Sequence, residues 1–340
     1  MMPDLNVIWY IIVGILFTGY AILDGFDFGV GILHLFIRQD HHRRIFLNAI
    51  GPVWDGNEVW LVTAGGALFA AFPEVYATVF SGLYMPFVFL LFALIFRAVA
   101  IEFRSKQELK WWRNLWDMSF GISSLLASFL IGVTLGNLVW GLPLDSHYEY
   151  IGGFFNLLHP YALLTGITTT ALFMMHGAIF LVMKTEGDLQ KQVEGWINNT
   201  IIFFIMCYTL VTLSTLIYIP HMLEHLRTHP ALFAFVIMNM LTIANIPREI
   251  HRRRAFRAFL SSSAAIISMM ALFGLGMFPD LVYASTDPAY SLTLTNAASS
   301  RATLQNMLII ACIGMPLVVT YTFSIYWIFR GKVKLTNMSY

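Results

Sequence analysis

Four carboxylates lie inside otherwise apolar stretches of this 340-residue sequence, and their types and spacing could do chemistry. Asp24 and Asp27 occur in LDGFDFGVG, while Asp55 and Glu58 occur in GPVWDGNEVWLVTAGGALFAA, which covers 51–71. Each pair has the spacing i, i+3, which places both members on one face of a helix. An ionised carboxylate that faces lipid is costly, so we expect both faces to lie against protein or a wet cavity.

Arg97 lies deep in a third apolar stretch, and Glu102 follows it near the end of the same predicted helix. Within this chain one deep arginine faces four deep acids, so some of the acids must hold a proton at pH 7 unless a partner supplies cations. Protonatable acids that open to the cytoplasm are what proton uptake needs. The alternative is a buried ion-pair lattice that locks helices together and conducts nothing, formed by Asp24, Asp27, Asp55 and Arg97.

The composition identifies the class of protein. Hydrophobic residues make up 58% of the chain and charged residues 11%, and the mean hydropathy is +0.70. These values predict an all-α polytopic membrane protein with a single integral membrane domain, 1–340. The net charge of +1 argues against nucleic acid as a partner. Cys207 and Cys312 both fall in apolar runs, so we expect neither a disulfide nor a cysteine metal site.

Apolar runs of about 20 residues predict nine transmembrane helices. They lie near 7–36, 49–72, 75–101, 118–141, 160–184, 197–219, 230–247, 257–279 and 304–329. The connector at 279–305 is rich in Ser, Thr and Asn, which predicts surface coil or a short extra helix. Two GxxxG pairs, Gly25 with Gly29 and Gly132 with Gly136, predict close packing between helices.

The distribution of basic residues predicts the orientation in the membrane. Seventeen of the twenty Lys and Arg residues fall in alternate connectors or in the tail RGKVK. Because cytoplasmic loops carry this excess, the N-terminus is predicted to be periplasmic and the C-terminus cytoplasmic. In this orientation all four deep acids, Arg97 and Glu102 share the cytoplasmic half of the bilayer.

The histidines do not suggest a haem or metal site in this chain. Of the ten, His34, His159 and His176 lie in or at the edge of predicted spans, and no two of them recur at i, i+4 on one helix. We therefore expect no haem ligand among them. The sequence also contains no Walker loop, no GxGxxG and no defensible Ser/His/Asp constellation, so no catalytic residue is predicted.

Several segments resemble a known family. LDGFDFGVGIL (23–33), GPVWDGNEVWLVTAGGALFAAFPEVYA (51–77) and LIFRAVAIEFR (94–104) are similar to subunit II of cytochrome bd-type quinol oxidases. The segments NLWD, IGVTLGN and YTFSIYWIFRGKV match in the same order, so the resemblance covers nearly the whole chain. The short stretch between spans six and seven and the segment LVMKTEGDLQ look most like the cyanide-insensitive branch.

The resemblance implies an enzyme complex of the bacterial inner membrane that oxidises quinol and reduces dioxygen to water, taking protons from the cytoplasm. Subunit I carries the b-type haems and haem d or a b-type replacement, whereas subunit II carries none. The two subunits pack as a pseudo-symmetric heterodimer, with small single-span accessory subunits and lipids as further partners. Some relatives hold a quinone in subunit II as a structural lipid, and the sequence leaves open whether this chain does.

The resemblance also assigns roles to residues. Four match family positions associated with assembly of the haem centre: Asp27, Trp54, Asp55 and Arg97. Asp55 also matches a position on a proton path that reaches toward subunit I. Asp24 and Glu58 occur in the same motifs, and their predicted depth suggests a part in that path. Glu102 stands where relatives often have Asp.

Two other functions compete with a proton-conducting subunit. A purely structural subunit would use the same acids only to hold the fold. A stand-alone proton-coupled transporter would also need deep acids, but such transporters usually contain inverted repeats and helices broken near the membrane midplane. The sequence offers neither of these features clearly.

Overall fold

The computed structural model describes residues 4–335, without the side chains of residues 225 and 226. The predicted domain 1–340 includes residues 1–3 and 336–340, which lie outside the described residues. Within the described range the chain forms twelve α-helices: α1 Leu5–His34, α2 Asp40–Ile50, α3 Trp54–Ala71, α4 Pro73–Gly82, α5 Tyr84–Phe103, α6 Lys110–Trp140, α7 Pro160–Lys184, α8 Gly187–Tyr218, α9 Glu224–Thr228, α10 Phe233–His251, α11 Ala255–Met277 and α12 Arg301–Ile328.

The all-α membrane class predicted from the sequence is confirmed. Eight helices in the described part of the chain are long and apolar enough to cross a bilayer, namely α1, α5, α6, α7, α8, α10, α11 and α12. Helices α3 and α4 together pass the same test but meet at a bend of 120°, which gives nine spans if the pair counts as one. The periplasmic N-terminus and cytoplasmic C-terminus stay predictions.

The predicted third span, 75–101, is wrong because it is two helices. Helix α4 begins with Pro73 at its first position, where the missing N–H is not needed. It ends at Gly82, and α5 begins at Tyr84. Pro86, in the first turn of α5, explains the break between α4 and α5, because its ring would clash with the carbonyl of Gly82 in a continuous helix.

The basic connectors are more helical than predicted. Residues 40–50 form α2, which buries Phe46, Leu47 and Ile50 and exposes Asp40 and His41 at its start. The second predicted span therefore begins at Trp54 rather than at residue 49. Helices α6 and α8 likewise begin at Lys110 and Gly187, well before the predicted residues 118 and 197.

The connector at 279–305 is partly packed. It contains the predicted surface coil at 285–289 and a short helix of the 3₁₀ type, but the prediction missed a pair of strands. It contains an antiparallel pair of strands, β1 Asp280–Val282 and β2 Leu292–Thr293, with a 3₁₀ turn at Pro288–Tyr290 between them. Val282, Leu292 and neighbouring apolar side chains are buried in a core cluster with Trp9 and Phe72. The connector thus covers one end of the bundle.

Helices α1 and α7 form the centre of the fold. In the most apolar stretch of α7, 78% of the residues are buried, compared with 0% in α12. A Cβ atom on Gly29 of α1 would overlap the carbonyl oxygen of Phe173 and lie 2.9 Å from the Cα of Gly177. Gly132 and Gly136 of α6 approach α7 in a similar way. The predicted close packing at both GxxxG pairs is confirmed.

We expect Gly29→Ala to destabilise the folded subunit by roughly 1–3 kcal/mol, the usual range for an overpacked core, because a backbone atom of α7 would have to move. Thermal unfolding of the purified complex measures this change. Gly14→Ala on the same helix is the matched control, since a Cβ there meets nothing within 4 Å. Equal melting temperatures for the two variants would contradict the α1–α7 contact.

Candidate functional site

Arg97 is the centre of a buried cluster that joins α1, α3 and α5. Its guanidinium donates two parallel hydrogen bonds to Asp24, from Nη1 at 2.9 Å and from Nη2, and it donates a third from Nη1 to Glu58 at 3.0 Å. The Nη2 atom lies 3.9 Å from Asp27, and the guanidinium stacks 4.4 Å from the ring centroid of Phe28. Paired bonds of this kind fix the geometry of arginine and carboxylate.

A hydrogen-bonded chain leads from this cluster to α12. Asn57 donates to Asp27 at 2.7 Å and to the carbonyl of Leu23 at 3.0 Å, and the Tyr326 hydroxyl donates to Asn57 at 2.9 Å. Asp27 Oδ1 and Arg97 Nε are buried without a hydrogen-bond partner among the described residues. Unpaired polar atoms at this depth make the cluster costly as a purely structural device.

The acids of α3 differ in their exposure. Glu58 contacts Arg97 with its side chain 23% exposed, whereas Asp55, one turn earlier, lies on the outer surface of α3. The structure therefore brings together Asp24, Asp27, Glu58 and Arg97. Asp55 does not join this buried cluster, because the buried face of α3 runs through Trp54, Asn57 and Ala64. The ion-pair lattice considered as the alternative therefore forms without Asp55, and the expectation that Asp55 lies against protein or a wet cavity stays a prediction.

The two remaining predicted residues lie beside the cluster. Trp54 is buried in the main hydrophobic core, next to the loop that precedes α3. Glu102 is partly buried near the end of α5, more than one turn beyond Arg97. Trp54 thus contributes to hydrophobic packing, and Glu102 lies at a helix end rather than next to the buried guanidinium of Arg97.

A second charged cluster was not among the predicted site residues. Asp117 of α6 accepts hydrogen bonds from Arg104 Nε at 2.5 Å, from Arg43 Nη1 at 2.9 Å and from His34 Nε2 at 2.6 Å. Arg104 also donates to Asp40 at 2.7 Å. Asp117 is the acid of the NLWD segment. The sequence signal that could have pointed to this cluster was the run of basic residues at 104–113, just before that segment.

Each histidine of the spans makes at least one hydrogen bond within the chain. Both ring nitrogens of His176 are hydrogen-bonded, to Ser262 at 2.7 Å and to the carbonyl of Ile22 at 3.1 Å. His34 is held by Asp117, and His159 accepts from the Ala162 N–H at the start of α7. Among the described residues, no group of three or more His, Cys, Asp or Glu is arranged to hold a metal ion. His34 Nδ1 and His159 Nε2 are buried without a hydrogen-bond partner among the described residues, so the expectation of no haem ligand in this chain stays a prediction.

Comparisons with known proteins identify the family. The model of the family "Cytochrome bd terminal oxidase subunit II" matches residues 5–329. The chain is 36% identical to cytochrome bd-I ubiquinol oxidase subunit 2 of Escherichia coli strain K12, covering 97% of this chain and 95% of that protein. It is 35% identical to cytochrome bd ubiquinol oxidase subunit 2 of Bacillus subtilis strain 168, covering 98% of each.

The fold is also found in a solved structure. The chain superposes on a chain of the bd oxidase from Geobacillus thermodenitrificans with a TM-score of 0.80, covering 96% of this chain and 98% of that one at 17% identity. At this identity the likeness concerns the fold. Assignment to the cyanide-insensitive branch stays a prediction. The buried Asp24–Arg97 cluster is thus part of a multi-pass membrane protein. Because the family model matches nearly the whole chain, this protein belongs to the family of cytochrome bd terminal oxidase subunit II.

Proposed function

We propose that this chain is the haem-free subunit that stabilises the haem-bearing subunit I, and that its acids carry protons from the cytoplasm toward that partner. Family membership makes the chain part of a quinol oxidase complex with a subunit I. In our proposal the complex works in the bacterial inner membrane, its substrate is a quinol, and its haems lie in subunit I. A stand-alone transporter is therefore not our proposal.

We assign the surface for subunit I to the outer faces of α3 and α12. The two helices are neighbours, since Tyr326 of α12 bonds to Asn57 and Ser299, just before α12, bonds to Ala71 at 2.8 Å. Helix α12 is almost entirely exposed, with Leu304 as its buried residue. On α3, Gly56 and Gly66 face open space, which allows another helix to approach closely.

The position of Asp55 supports proton transfer at this surface. Its carboxylate is exposed on the outer side of α3, Glu58 one turn later is partly exposed, and Asp24 and Asp27 are fully buried. The acids thus form a series from the surface into the bundle. One guanidinium serves three buried or partly buried carboxylates, which leaves negative charge in the cluster for a transferred proton to neutralise.

Replacing Asp55 tests the proposal. We expect Asp55→Asn in the intact complex to keep haem content near normal and to slow oxygen reduction about tenfold or more, because a carboxamide cannot exchange a proton. Asp55→Glu should restore much of the rate. The measurements are the visible haem spectrum and the rate of oxygen consumption with quinol.

A matched control separates the effect from a general loss of surface charge. Asp188→Asn removes another acid, with a side chain 95% exposed and paired only loosely with Lys191 at 3.4 Å. It should leave both haem content and rate unchanged. Normal turnover with normal haem in Asp55→Asn would refute the proton path, whereas loss of haem would favour the purely structural subunit, for which the paired Asp24–Arg97 bonds are the supporting observation.

A further inference from the structure

A basic cavity of about 380 Å³ lies where the C-terminal ends of α7 and α12 meet the loop between α2 and α3. Lys184, Lys332 and Lys334 line it, and none of the described Asp or Glu residues does. Its other wall is apolar and aromatic, with Phe180 and Phe329. The cavity therefore combines three positive charges with a surface suited to hydrocarbon.

Hydrogen bonds hold two of these ammonium groups in place. Lys332 Nζ donates to the carbonyls of Val182 at 2.9 Å and Thr185 at 2.7 Å, and Lys184 Nζ donates to the carbonyl of Phe329. An ammonium group has three N–H donors, so Lys332 retains one and Lys184 retains two. These contacts satisfy the ends of α7 and α12 while the remaining donors stay available to a ligand.

The tail that carries two of the lysines is itself anchored. Val333 N–H donates to the carbonyl of Lys184 at 2.9 Å, which joins the tail to the last turn of α7. Burial lowers the pKa of the Lys332 ammonium from its ordinary value, an effect that Glu186 and Glu194 oppose. A nearby anion would favour the charged form of this side chain in the same way.

We propose that this cavity binds a phosphate group, and that the phosphate belongs to an anionic phospholipid. Basic pockets between transmembrane helices on the cytoplasmic side are suited to such headgroups. Ile328, which also lines the cavity, is 67% exposed at the end of α12, so lipid chains can reach the apolar wall.

The excess of positive charge is confined to this cavity and does not extend into the adjoining cleft. It shares Val333 and Lys334 with the cavity but also contains Glu186 and Asp188, along with His41 and His42. Acidic and basic groups offset each other there, whereas the charged residues that line the cavity, among those described, are all lysines. A phosphate should therefore prefer the cavity bounded by Lys184 and Lys332.

Native mass spectrometry of the intact two-subunit complex tests the site, using phosphatidylglycerol and phosphatidylcholine as the added lipids. The wild-type complex should retain phosphatidylglycerol more tightly than phosphatidylcholine. Lys334→Gln, which leaves the capping bonds of Lys332 in place, should weaken this retention about fivefold, and adding Lys332→Gln should weaken it about 25-fold. Haem content reports whether each variant assembles.

Two comparisons decide the outcome. The control Lys106→Gln with Lys110→Gln removes two exposed lysines from another connector and should retain phosphatidylglycerol like the wild type. Equal retention by the cavity variants and this control would overturn the site. If inorganic phosphate protects the complex against heat while phosphatidylglycerol is held no better than phosphatidylcholine, the assignment to a lipid is overturned.

Discussion

Arg97→Ala is expected to remove most of the assembled complex from the membrane. The substitution leaves Asp24 and Asp27 fully buried, with no guanidinium to pair with either. Removing one partner of a buried ion pair in this way costs roughly 3–5 kcal/mol, which is a large part of the free energy of unfolding of a typical domain. The measurement is the amount of haem-containing complex recovered after solubilisation, together with the level of this polypeptide.

Two further variants examine the cause. Arg113→Ala removes an arginine whose side chain is 30% exposed and which pairs with Asp40 at 3.4 Å, and it should change assembly little. Adding Asp24→Asn to Arg97→Ala neutralises one of the stranded acids and should recover part of the lost complex. Wild-type assembly in Arg97→Ala would show that the cluster is not needed for folding.

Asp117→Ala should be nearly as damaging, at the other charged cluster. Asp117 is the acceptor for Arg104, which is 1% exposed, and for Arg43 and His34. Asp40 continues to pair with Arg104, but the buried guanidinium loses its closest acceptor. We expect a loss of roughly 3–5 kcal/mol in the stability of the subunit, measured as a lower melting temperature of the complex.

The matched comparison for Asp117 is Asp188→Ala, at an acid that is almost fully exposed. Its ion pair with Lys191 should contribute no more than about 1 kcal/mol. Asp117→Asn keeps the size of the side chain and one acceptor oxygen, so its effect should be intermediate. Identical melting temperatures for Asp117→Ala and Asp188→Ala would mean that the cluster contributes nothing to stability.

The buried cluster could be predicted because charge is rare in apolar helices. Asp24, Asp27 and Glu58 stood out against their neighbours, and Arg97 was the deep cation available to them. The contacts between these residues agree with that prediction. Hydropathy alone, however, does not say which side of a helix is buried.

The position of Asp55 could not be read from the spacing alone. The spacing i, i+3 puts Asp55 and Glu58 about 60° apart around the helix axis, so they can lie on either side of the boundary between protein and surroundings. Trp54, Asn57 and Ala64 are buried, and this face excludes Asp55. Asn57, which reaches Asp27, drew no attention because an amide carries no charge.

Asp117 was missed for a different reason. The predicted span began at residue 118, which left Asp117 in a connector, whereas α6 begins at Lys110. The polar first turns of α6 are held in the fold by ion pairs to Arg104 and Arg43, which lie outside the predicted span. A hydropathy window detects the apolar part of such a helix and not its charged extension.

The glycine contact between α1 and α7 limits how any proton could move through this subunit. With the backbones touching at Gly29 and Gly177, α1 is unable to slide or rotate without separating two packed helices. In the proton path that we propose, Asp24 and Asp27 therefore stay fixed, and the side chain left to move between Arg97 and the outer surface is that of Glu58, which is 23% exposed. Such a step needs only rotation about side-chain bonds, so the helical framework can remain stationary during turnover.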